Sequence, residues 1–145
     1  DHTLDFRKHL FLDDLTVPIT DLLLTKLQIV KLTENDVRDM VAILEDHEIG
    51  HSDDKEILNV DYAADVCSHD WGLQRSVSEN LDKMRELLGE IVADPGPKTH
   101  LFRKIDLIQN ALLRSTKSIS WRIRSLIGDR VKWYQEVEVG EAEAC

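Results

Sequence analysis

The sequence predicts a mainly α-helical fold of about five or six helices with a short N-terminal β element. Three observations carry this. Leu73, Val77, Leu81, Met84, Leu88 and Ile91 recur at spacings of four, four, three, four and three, which lines one face of a long helix. Thr33, Asn59, Asp70 and Ser118, whose side-chain oxygens suit helix N-caps, each stand before an apolar run. Only at the front does the period fall to two, where Leu4, Phe6, Leu10 and Leu12 alternate with Asp5, Arg7 and Asp13.

In chain order, residues 1–17 read as a short strand element, the end of a truncated sheet; with that sheet upstream the class becomes α+β. Pro18 ends the extended segment and opens a helix near Ile19, with Thr16 or Thr20 as its cap and Leu22, Leu23, Leu27 and Val30 on one side. Thr33 with Asp36 three residues on resembles a capping box and starts a second helix through about His47, striped by Val37, Met40, Val41 and Leu44. Residues 48–58 are polar, contain a glycine and read as a loop. Asn59 caps a short helix ending near Cys67, and Asp70 caps the long one from Trp71 to about Val92. Asp94-Pro95-Gly96-Pro97 is a rigid turn. Leu101, Ile105, Ile108 and Leu112 mark the next helix, and Ser118 caps a last one holding Ile119, Ile123 and Leu126, with Gly128 near its end. The helical domain spans 18–134, and the acidic residues 135–145 read as a disordered tail.

With 145 residues the chain fits one domain. No apolar run approaches the roughly 18 residues of a membrane span, so no membrane partner is expected and the cytoplasm is the default compartment. Cys67 and Cys145 form neither a metal motif nor a disulfide framework, which suits a reducing environment. The net charge of −10 is unevenly spread: residues 1–97 hold 9 basic and 22 acidic side chains, whereas 98–132 hold 9 basic and 2 acidic. The two parts attract each other, or the basic segment has an anionic partner.

That segment interleaves Arg114, Lys117, Arg122, Arg124, Arg130 and Lys132 with Trp121, Trp133 and Tyr134. Basic groups on phosphates and aromatic rings on bases would hold single-stranded nucleic acid. In the other reading the tryptophans anchor the last helix to the core and the arginines pair with the acidic first part. His47 and His51 are four apart, but Gly50 breaks the helix that would align them on a metal, so no metal site is expected. Cys67 beside His69 reads as a buried thiol next to a surface imidazole.

Lys26 lies in the apolar run LLLTKLQIV, and Asp36 and Asp39 share a helical face in ENDVRDMVAIL. The lysine either runs its alkyl stem along the core or neutralises a phosphate at a cleft edge. This pattern over about residues 2–47 resembles the nucleotidyltransferase-fold proteins of the abortive-infection (AbiEii-type) toxin family. The resemblance implies a bacterial toxin-antitoxin setting, with Lys26, Asp36 and Asp39 beside a nucleotide, and Mg²⁺ with a nucleoside triphosphate as cofactors of the full-length protein. Asn35 stands where that family commonly has a basic residue, and the Gly-Ser loop with its aspartate pair is not in these 145 residues. Asp5 is a candidate third carboxylate or a plain surface aspartate. The expectation is therefore a helical C-terminal portion of such a protein, inactive alone, whose metal-binding half lies upstream. The rival is a non-enzymatic helical module that docks an acidic protein, nucleic acid or a second copy of itself through its basic end.

Overall fold

A computed structural model describes residues 4–7, 9, 11–12, 16–92 and 94–134. Among them lie six α-helices: α1 (Ile19–Leu27), α2 (Glu34–Asp46), α3 (Val60–His69), α4 (Trp71–Ile91), α5 (Pro95–Arg114) and α6 (Ile119–Ile127), with a 3₁₀ turn at Gly128–Arg130. The fold is thus mainly α with a short β element. That element is a two-residue parallel pairing of β1 (Ile49–Gly50) with β2 (Leu58–Asn59), in register Ile49 to Leu58 and Gly50 to Asn59. Ile49, Gly50 and Leu58 fall inside the segment that read as a loop, and Asn59 is the cap of the helix that follows. A Cβ on Gly50 would sit 2.7 Å from Ile57 Cγ2, so glycine is what lets the two strands close.

The described residues of the front segment form turns and no strand: His9 N–H donates to Phe6 O at 2.9 Å and Leu12 N–H to His9 O at 3.0 Å. Among the described residues no strand lies alongside this segment, and these two bonds are made locally. Leu10, Asp13 and the tail 135–145 lie outside the described residues.

Side-chain caps start most of the helices. Thr33 and Asp36 form a reciprocal capping box on α2, and Asn59, Asp70 and Ser118 cap α3, α4 and α6. Pro18 precedes α1, which has no side-chain cap; Thr20 instead donates to Ile57 O at 3.1 Å and accepts from Asn59 N–H at 2.9 Å, tying α1 to β2. Leu73, Val77, Leu81, Met84 and Leu88 of α4 are buried where α4 packs on α1, α3 and α5; the side chain of Ile91 lies outside the described set. On α1 the inward face is Leu23, Leu24 and Leu27, while Leu22 faces solvent. Small residues Ala63 and Ala64 let α3 lie close along α5.

Two buried polar side chains finish helices from a distance. Asn80 of α4 donates to Leu27 O and Ile29 O at 2.8 and 2.7 Å, closing the end of α1. Lys104 of α5 reaches Leu44 O and His47 O at 2.7 and 2.8 Å, closing the end of α2, with Glu48 at 3.7 Å.

Candidate functional site

Lys26, Asp36 and Asp39 do come together. The Lys26 ammonium sits 2.8 Å from Asp39 Oδ2 and 3.4 Å from Asp36 Oδ1. Asp36 Oδ2 meanwhile accepts from the Thr33 hydroxyl at 2.6 Å and from Thr33 N–H at 3.1 Å. These Thr33 donors, with Lys26, hold the Asp36 carboxyl below its ordinary range, and Asp39 above all pushes the Lys26 ammonium up. Both oxygens of Asp36 are therefore committed, and the trio carries a formal charge of about −1. As arranged it does not fit a phosphate or a Mg²⁺ ion. Open clefts of about 640 and 450 Å³ lie elsewhere and do not include these residues. Asp5 forms an ion pair with Arg7 at 2.6 Å.

The histidines at 47 and 51 are parted by the end of α2. His47 Nδ1 bonds Glu56 O at 3.0 Å, and His51 Nδ1 bonds Asp61 at 2.9 Å. No group of three metal-ligating side chains gathers among the described residues. Cys67 is fully buried, its thiol pushed up to about 12 by burial, and His69 stands exposed beside it.

The basic and aromatic residues of the C-terminal segment divide into two sets. One set is turned inward. Trp133 meets Trp71 edge to face at 5.6 Å and donates from Nε1 to Ser76 Oγ at 3.2 Å. The Arg124 guanidinium lies over Trp71 at 4.8 Å and donates to Gly128 O and Val131 O. Lys117 lies over the Trp121 ring at 5.5 Å and bonds Ser115 Oγ and Leu112 O; burial holds its ammonium below the usual lysine range. Lys132, though exposed, stands over Tyr134 at 4.9 Å.

The other set is turned outward. Arg114, Arg122 and Arg130 are exposed and have no ion-pair partner among the described residues. The aliphatic stripe of α6 is exposed as well: Ile119, Ile123 and Leu126 are 77, 59 and 82% exposed. Ile127 and Val131 continue it, and no residue of α6 is buried. The helix thus seats its Trp121 and Arg124 side on the body and presents its apolar side to solvent, the reverse of an ordinary surface helix.

No family model, curated protein or solved structure matches the chain.

The sequence had suggested the tryptophan anchors; it also suggested arginines paired with the acidic part, which Arg114, Arg122 and Arg130 are not. It missed Asn80 and Lys104, although Asn80 sits inside the buried stripe of α4 and Lys104 flanks that of α5, the kind of position where a polar residue needs a partner. It also missed His9, which is buried with Nδ1 3.0 Å from Asp21 and its ring 3.6 Å from that of Tyr62. That contact depends on residues far apart in sequence and has no local signature. No helix among the described residues is long and apolar enough to cross a membrane.

Proposed function

We propose that this chain is a non-enzymatic interaction module that docks, through α6, an apolar protein segment flanked by acidic residues. The observation behind it is the outward stripe of Ile119, Ile123 and Leu126 on a helix with no buried residue. An aliphatic stripe of this kind left in water is the usual mark of a partner surface. Exposed Arg122 and Arg130, without an ion-pair partner among the described residues, favour acidic flanks on the partner and disfavour a second copy, whose arginines would meet them across a two-fold contact. Nucleic acid fits less well, because Trp71 and Trp133 are spent on each other and on Arg124, while the exposed face is aliphatic and offers no ring for a base. An anionic lipid surface is opposed by the 22 acidic residues of the first 97. The free, buried Cys67 suits a reducing compartment, so the cytoplasm is the proposed location.

The test uses a synthetic amphipathic helical peptide with a leucine face and glutamate flanks, and its twin with lysine flanks, followed by fluorescence anisotropy. The glutamate peptide should bind with a salt-dependent affinity and lose at least about ten-fold against a chain carrying Ile119→Gln, Ile123→Gln and Leu126→Gln. Equal binding of the two peptides, or a single-stranded RNA bound equally by parent and variant, would overturn the reading. So would a dimer in sedimentation that the triple variant dissolves.

A further inference from the structure

The face of α3 that carries Asp61, Ala64, Asp65 and Ser68 and the face of α5 that carries Leu107, Asn110, Ala111 and Arg114 form the walls of an open cleft of about 640 Å³. Both sets follow the spacing of one helical face. The cleft is polar at its ends and apolar between them. Ser118 N–H donates to Ser68 O at 3.0 Å, so the C-terminal ends of α3 and α5 meet, and Arg114 and Thr116 belong to that end. Asp61, joined to His51 at 2.9 Å, begins α3 at the opposite end.

The two ends differ in sign. Arg114, Asn110 and Thr116 have no side-chain partner among the described residues, so one end offers a guanidinium, an amide and a hydroxyl. Ser115 is already committed to Leu112 O and Lys117, and so reads nothing. At the other end Asp61 gives Oδ2 to His51 and keeps Oδ1 without a partner among the described residues, and Asp65, with Oδ1 4.0 Å from His69 Nδ1, adds a second carboxylate along the same wall. Ala64, Ala111 and Leu107 make the apolar middle.

We propose that this cleft binds a short apolar peptide by its two free ends, the carboxylate at Arg114, Asn110 and Thr116 and the ammonium at Asp61. Arginine matches a carboxylate with two parallel hydrogen bonds, and the asparagine amide and threonine hydroxyl can add donors beside it. Length supports the match. From Asp61 to Ser68 the helix rises about 10 Å at roughly 1.5 Å per residue, and an extended tripeptide spans about 10 Å at roughly 3.4 Å per residue. An inorganic anion would meet the Asp65 and Asp61 carboxylates with nothing to offer them, and an apolar carboxylate would satisfy only one end. This site is separate from the stripe of α6 and does not depend on the role proposed for it.

The probe is trileucine with free termini, titrated into the intact ¹⁵N-labelled chain and followed by amide shifts. Saturable shifts are expected within residues 61–68 and 107–116. Amidation of the peptide C-terminus, or Arg114→Gln in the chain, should weaken binding about ten-fold, and N-acetylation should weaken it several-fold. Arg114 is exposed, so the variant keeps its fold, which an unchanged spectrum in the absence of peptide verifies. The proposal fails if no shift saturates by about 10 mM, if the amidated peptide binds as well as the free acid, or if the shifts gather in residues 119–131.

Discussion

Replacing Ile119, Ile123 and Leu126 together by glutamine separates an outward docking face from an ordinary core face by a wide energetic margin. Were these three side chains buried, each truncation would cost about 2–5 kcal/mol, and their loss together would unfold a domain of marginal stability. At exposures of 77, 59 and 82% the three together bury less than one full aliphatic side chain. Full burial of one such side chain is worth about 1.5–3 kcal/mol. The glutamine stems keep part of that contact, and glutamine is slightly the better helix former. The expected loss is therefore about 1 kcal/mol for all three, or roughly 3–4 °C in Tm for a chain of this size. Urea denaturation followed by far-ultraviolet circular dichroism measures it directly. A loss above about 4 kcal/mol would mean that the stripe is buried in the folded protein, and the docking proposal would fall with it.

Other substitutions probe what holds the frame. Lys104→Met removes the only side-chain donor to Leu44 O and His47 O among the described residues and should cost about 2–4 kcal/mol in chemical denaturation; a change below 1 kcal/mol would show that those carbonyls find other partners. Asp36 is held low chiefly by the Thr33 hydroxyl, and a depressed carboxyl contributes stability that is present above its unfolded value of 3.8 and lost as pH falls through the folded one. Asp36→Asn should accordingly be less stable than the parent at neutral pH and converge with it in acid, and parallel acid limbs would refute the assignment. Lys26 behaves in the opposite sense: its stabilisation is complete below 10.5 and is lost as pH rises through its folded value, so Lys26→Met should narrow its gap to the parent in alkali. Trp133→Ala removes the contact with Trp71 and Ser76 and should speed amide exchange across α6 while α4 keeps its protection; unchanged exchange in 119–127 would show that another contact seats the helix.

What could be read from the sequence was what is decided locally. The capping box of Thr33 and Asp36 involves four successive positions, and Asn59, Asp70 and Ser118 act within three residues of themselves. The stripe of α4 was legible because one helix contributes all of it. At the front, two-residue alternation predicts a strand only if a neighbour exists to pair with, and the described residues Phe6, His9 and Leu12 bond one another in turns instead. The trio at Lys26 was legible as three residues and not as a geometry. Whether the ammonium faces a ligand or two carboxylates depends on the angle between α1 and α2, which neither helix encodes alone.

The same limit explains α6. Its periodicity marks Ile119, Ile123 and Leu126 as one face, but periodicity is silent on whether a face turns in or out. The direction is set at the ends of the helix. At the start, Ser118 N–H is held by Ser68 O of α3. At the finish, Gly128 adopts a φ of 57°, a region that side chains disfavour, and the reversal lets Trp133 reach Trp71 and Ser76 on α4. Between these pins Arg124 covers Trp71. Rolling α6 to bury its aliphatic stripe would strip the ring of Trp71 of its guanidinium and carry Trp121 into water. The rings and the aliphatic stripe compete for one seat on the body, and the rings, tied at both ends of the helix, hold it. The exposed stripe is then a consequence of how α6 is fastened, and a partner that covers it need not disturb those fastenings.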